Sequence, residues 1–107
     1  MTPVVLHPAA RAELREAVTF YRVRSIRLAR ELLAEVRATI ARLQELPGSG
    51  APAAQGTRRA LVKRFPFTVI YAVETDRIFV YAIMHQRREP EYWSERTRQG
   101  DPSPDPD

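Results

Sequence analysis

Residues 58–85, RRALVKRFPFTVIYAVETDRIFVYAIMH, are dense in β-branched and aromatic side chains, a composition that argues strands rather than helix. Phe67 to Glu74 is strongly β-prone, and Thr75-Asp76 makes a tight turn into Arg77 to His85. Upstream, Arg58 to Phe65 reads as a basic strand of mixed pattern. Three antiparallel strands result, a meander. Alternation puts Phe67, Val69, Tyr71 and Val73 on one face of the middle strand and Thr68, Ile70 and Ala72 on the other. In the last strand Phe79, Tyr81 and Ile83 oppose Ile78, Val80, Ala82 and Met84. Both faces of the sheet are therefore largely apolar, and both need cover.

Reading outward toward the N-terminus, Ala29, Leu33, Val36, Ile40 and Leu43 recur at helical spacing, which predicts a helix from Ile26 to Leu46 closed by Pro47-Gly48. A helix of that length spans roughly 30 Å, the length of a small sheet. Before it, Leu14, Val18 and Tyr21 predict an amphipathic helix from Pro8 to about Arg24, with Pro8 in a first turn where its missing N–H costs nothing. Ser25 is placed to cap the second helix, and so short a link makes the pair an antiparallel hairpin. Val4, Val5 and Leu6 read as an initial strand. Residues 47–57 form a loop of small residues, and Pro90 to Thr97 a short last helix. The fold class is α+β. One helical hairpin covers one face of the meander, and the short last helix is too small to cover the other alone, so a partner chain is expected there. Residues 1–98 make one domain. Residues 99–107 alternate acid and proline after Gly100 and are expected to be disordered.

A chain of 107 residues, 44% hydrophobic, has enough core for one domain and no room for a second. No cysteine is present, which excludes a disulfide scaffold, a thiol nucleophile and a thiolate metal site. His7 and His85 are too few for a structural zinc centre, so neither a metal nor a cofactor is expected. The first eight residues lack a basic flank and a long apolar run, and no membrane-spanning stretch follows, so a cytoplasmic location is expected. The net charge is +4, but residues 1–98 hold 17 bases against 10 acids, a body of +7. Residues 58–88 alone carry +5. Such a body suits an anionic partner, whether nucleic acid, ribosome or acidic protein segment.

Five features in order resemble the RelE/ParE superfamily of bacterial type II toxins. Pro8-x-Ala10 opens the first helix and Phe20-Tyr21 lies late in it. Leu43-x-x-Leu46-Pro47-x-x-Gly50 closes the second. Then come Arg59-x-Leu61-x-Lys63-x-Phe65-Pro66-Phe67-x-Val69-x-Tyr71 and His85-x-Arg87-Arg88-x-Pro90. The last two look like the ParE, or plasmid-stabilisation, branch. The resemblance implies a toxin that inhibits DNA gyrase and is neutralised by a cognate antitoxin, with which it forms a hetero-oligomer. The RelE branch implies instead a ribosome-dependent messenger-RNA endonuclease, and a third reading is a member without toxicity.

The nuclease reading needs a base for the 2′-hydroxyl, cations around the scissile phosphate and an acid for the leaving oxygen. Its candidates are Arg59, Lys63, Arg64, His85, Arg87 and Tyr92. Tyr92 matches the C-terminal tyrosine of that branch only loosely, and Glu89, Glu91 and Glu95 around it would repel an RNA backbone. A binding toxin needs only a surface, for which Arg59, Lys63, His85, Arg87, Arg88 and Trp93 are the candidates. Each has a plain structural alternative: an edge strand guarded by charge for the bases, a strand-end backbone contact for His85. The basic strand with Arg59 and the His85-Arg87-Arg88 ending are expected at the same end of the sheet as one anionic-partner surface, with Arg59, His85 and Arg87 on one face by parity and Arg88 on the other if the strand continues.

Overall fold

A computed structural model describes residues 1–99. The expectation for the acidic tail falls on residues outside that range, save Gln99. Strand β1 (Val4–Leu6) leads into helix α1 (Pro8–Arg24), and α2 (Ile26–Glu45) follows after a single residue. Two 3₁₀ turns flank a two-residue strand β2 (Ala51–Pro52). Then come β3 (Arg58–Leu61), β4 (Phe67–Val73), β5 (Ile78–His85) and the short helix α3 (Ser94–Gln99). The five strands form one sheet in the order β1-β5-β4-β3-β2, antiparallel except that β1 runs parallel to β5.

The helix ends follow from local chemistry. His7 caps α1, its Nδ1 accepting the Ala9 N–H at 3.0 Å. Ser25 serves both helices: its N–H donates to the Tyr21 carbonyl at 2.7 Å and its hydroxyl accepts the Leu28 N–H at 3.2 Å. Between α2 and β2, Tyr71 ties the loop to the core. Its hydroxyl donates to the Pro47 carbonyl and accepts the Gly50 N–H. Gly50 is required by this close approach, since a Cβ there would lie 2.5 Å from the Tyr71 hydroxyl.

The helical hairpin packs on one face of the sheet. Leu32, Val36 and Leu43 of α2 and Ala10 and Ala17 of α1 meet Val69, Tyr71, Ile78, Val80 and Ile83. The opposite face carries its own cluster, in which Ile70, Phe79, Tyr81 and Ala82 surround Trp93.

Four expectations change here. Strand β3 ends at Leu61 rather than Phe65: Val62 N–H pairs with the Phe67 carbonyl, and Arg64 turns back with a φ of 70°. Pro66, which has no N–H, cannot extend the ladder. Lys63 and Arg64 therefore stand in a turn. The last helix begins at Ser94, four residues later than Pro90. Within the expected loop, β2 adds an edge strand. Finally, the second face is not left bare. Trp93, from the turn before α3, is 1% exposed and covers it with help from Ala54 and Tyr92, which removes the need for a partner chain on this ground.

Candidate functional site

The alternation expected for β5 breaks in the middle. Ile70 pairs with Ala82 and Tyr71 with Val80, so Tyr81 has no residue opposite and forms a bulge. Tyr81 and Ala82 consequently share the Trp93 face and the alternation restarts out of phase, with Ile83 and His85 on the helical side and Met84 on the Trp93 side. His85 thus lies on the α1 side of the sheet, in a cleft of about 200 Å³ with Phe67, Arg88 and Tyr92.

One carboxylate holds this region together. Glu13 of α1 accepts from the Ile83 N–H at 3.0 Å, from the Tyr92 hydroxyl at 2.7 Å, and from both terminal nitrogens of Arg96 at 2.9 and 3.1 Å. Arg96 also donates to the Tyr81 carbonyl at 2.9 Å. The bulge frees one backbone donor and one acceptor, and this pair satisfies both. Both side chains are mostly buried, so the bidentate pair works in a weakly screened setting. The Tyr92 hydroxyl is held well above the usual tyrosine range, first by burial and then by its bond to, and the charge of, Glu13. Arg88 lies over the Tyr92 ring, 3.9 Å from its centroid.

The residues singled out from the sequence are dispersed. His85 packs edge-on against Phe67, and its Nδ1 accepts the Arg87 N–H at 3.0 Å. Arg87 is exposed, as is Lys63. Arg64 is engaged with α2, 3.0 Å from Glu31 and 3.6 Å from Glu35. Arg59 pairs across the sheet with Ile70 and through it with Ala82, and it lines a hollow on the Trp93 side together with Met84. Strands β3 and β5 are both antiparallel to β4 and so parallel to each other; the end of β5 neighbours the end of β3, not its start. Arg59 and His85 therefore share neither end nor face, contrary to expectation. Trp93, expected on the target-binding surface, is core, its indole N–H donating to the Pro90 carbonyl.

The arrangement brings together His85, Arg88 and Tyr92, and leaves Arg59, Lys63 and Arg64 outside. Sequence reasoning missed Glu13 and Arg96. A signal for Glu13 exists: it stands three residues after Ala10 and four before Ala17, a charge on a buried stripe. Arg96 has no comparable mark. Among the described residues, no group of three or more potential metal ligands is assembled, and no helix is long and apolar enough to cross a membrane.

A family model described as "ParE toxin of type II toxin-antitoxin system, parDE" matches residues 4–90. Among solved structures, a chain of the "Chromosomal ParDE TA system from P. aeruginosa" is similar, with 23% sequence identity and a TM-score of 0.66 over 79% of this chain and 96% of that one. At that identity the likeness speaks to the fold. None of the curated proteins compared matches the chain.

Proposed function

This chain belongs to the family of ParE toxins of type II toxin–antitoxin systems, and on that premise we propose that it acts by binding DNA gyrase and is held inactive by a cognate antitoxin. The observation that favours a binder over a messenger-RNA nuclease is the fixation of Tyr92. Its hydroxyl is committed to Glu13 inside the Arg96 pair, and its raised pKa makes it a poor proton donor to a leaving oxygen. The cations that a scissile phosphate would need are divided between two faces and a turn. The target surface in this reading is the end of the sheet bearing His85, Arg87 and Arg88, with Lys63 in the adjacent turn. Neither Arg59 nor Trp93 belongs to it.

Two assays on the purified chain separate the readings. Gyrase supercoiling should be inhibited in proportion to toxin added, while ribosome-bound message stays intact. Arg87→Ala should weaken that inhibition without changing the melting temperature, since exposed substitutions move stability by about 0.5 kcal/mol. Cleavage of ribosome-bound message with unimpaired supercoiling would transfer the chain to the nuclease reading. Co-expression with an adjacent small reading frame should yield a co-purifying, non-toxic complex.

A further inference from the structure

The turn between β3 and β4 is held in a shape that its sequence resists. Arg64 stands at a φ of 70°, in the left-handed region that a residue with a Cβ adopts at a cost and glycine adopts freely. A glycine at this position would close the same turn without that cost. The arginine adds a long cation, and the cation is directed at α2. Its guanidinium lies 3.0 Å from Glu31 and 3.6 Å from Glu35, two carboxylates one helical turn apart. It also lies 5.9 Å from the centroid of the Phe65 ring, which packs edge-on against Tyr21 of α1. From the other side the turn is tied to the end of β5, where the Gln86 N–H donates to the Pro66 carbonyl at 2.9 Å. Val62 and Phe65 are buried, so the tip consists of Lys63 and Arg64. Lys63, the only lysine of the chain, is exposed and has no ion-pair partner among the described residues; the same is true of Arg87.

The Arg64 pairs add little net stability. The side chain is 59% exposed, so solvent screens both pairs, and what screened pairs return is of the same order as the cost of a left-handed backbone. What they fix is direction. Lys63 stands between Val62, whose N–H pairs with the Phe67 carbonyl at 2.9 Å, and the anchored Arg64. Its backbone is therefore set on both sides, roughly two strand spacings, or about 10 Å, from the segment after His85 that carries Arg87. We propose that Arg64 is a positioning residue: by clamping the turn to Glu31 and Glu35 it holds Lys63 at a fixed separation from Arg87, so that the target meets the two exposed cations as one unit. That Lys63 and Arg87 meet the target rests on the reading above; the clamp does not.

The test has one readout that needs no target. Backbone order parameters from NMR relaxation at residues 63 and 64 should match those of β4 in the parent, about 0.85, and fall toward about 0.6 in Arg64→Gly. Glu31→Gln combined with Glu35→Gln should reproduce the fall, and Arg64→Lys, which keeps a cation for the carboxylates, should show a smaller one. The melting temperature of Arg64→Gly should change little, since relief of the left-handed backbone offsets the lost pairs. The second readout is a double-mutant cycle on gyrase inhibition and, in parallel, on growth arrest after induced expression. Lys63→Ala and Arg64→Gly should each weaken the effect at least about threefold, and the two together should be no weaker than Lys63→Ala alone. Order parameters unchanged both in Arg64→Gly and in the double glutamine variant overturn the proposal whatever the target is. Additive losses in the cycle also overturn it, since they are the signature of an Arg64 that touches the target itself. Growth arrest by a chain that leaves gyrase untouched refutes the gyrase reading alone, because the coupling is then read from growth.

Discussion

Tyr92 illustrates how a side chain suited to proton transfer can be held out of it by burial and one carboxylate. Burial, the Glu13 bond and the Glu13 charge all favour its neutral form in the native state. In the unfolded chain it ionises near the ordinary value of about 10. A folded-state pKa above the unfolded one contributes stability that is fully present below about 10 and lost as pH rises past it. The Tyr92→Phe variant removes this contribution together with a bond to a carboxylate. Near neutral pH it should therefore be less stable by about 1–2 kcal/mol. The gap between parent and variant should narrow as the pH is raised above about 10, because only the parent then resists ionising this tyrosine. Urea denaturation across that range measures it. A gap that does not change with pH would mean that Tyr92 is not held in its neutral form.

Among the elements, β5 governs where functional groups point, and its bulge is sustained by residues far away in sequence. Glu13 and Arg96 complete the hydrogen bonds that the ladder cannot make at Ile83 and Tyr81. Glu13→Ala should cost about 2–4 kcal/mol, since it leaves a mostly buried guanidinium without its counter-ion and the Ile83 N–H without its acceptor. Glu13→Gln, which keeps an acceptor for Ile83, should cost less. Equal and small losses in both variants, read from urea midpoints, would show that the bulge does not depend on this carboxylate. The same element marks the limit of what periodicity reveals. Helices α1 and α2 were legible almost to the residue, because the apolar spacing of Leu14, Val18 and Tyr21 and of Val36, Ile40 and Leu43 is local information, as is the cap at Ser25. Strand faces were legible in β4, where alternation runs unbroken. In β5 one unpaired residue reverses the parity of everything after it, and the cause lies in α1 and α3. The candidate surface suffered most. Arg59 and His85 were assigned to one face by counting through a bulge that no window around Tyr81 discloses, and Trp93 looked available because its pocket is built from two other strands.

At the scale of the whole molecule, a single sheet separates two cores of unequal size. The larger lies under α1 and α2. The smaller closes around Trp93, the only tryptophan of the chain, so fluorescence reports one face of the sheet and far-ultraviolet circular dichroism chiefly the helices on the other. The Glu13–Arg96 pair joins the two faces across the β5 bulge, and burying an indole as completely as Trp93 is worth several kcal/mol to the smaller core. Both couplings argue for one cooperative transition, with coincident fluorescence and dichroism midpoints. We propose that residues 100–107 take no part in it, since they hold three aspartates, three prolines and no large apolar side chain. A chain ending at Gln99 should melt with the parent, within the effect of about 0.5 kcal/mol expected of exposed changes. Its net charge rises from +4 to +7, so any difference should appear instead as stronger, salt-sensitive association with anionic partners. A fluorescence midpoint well below the dichroism midpoint would show that the Trp93 segment detaches on its own. A melting temperature several degrees lower in the shortened chain would show that the acidic tail docks against the basic body.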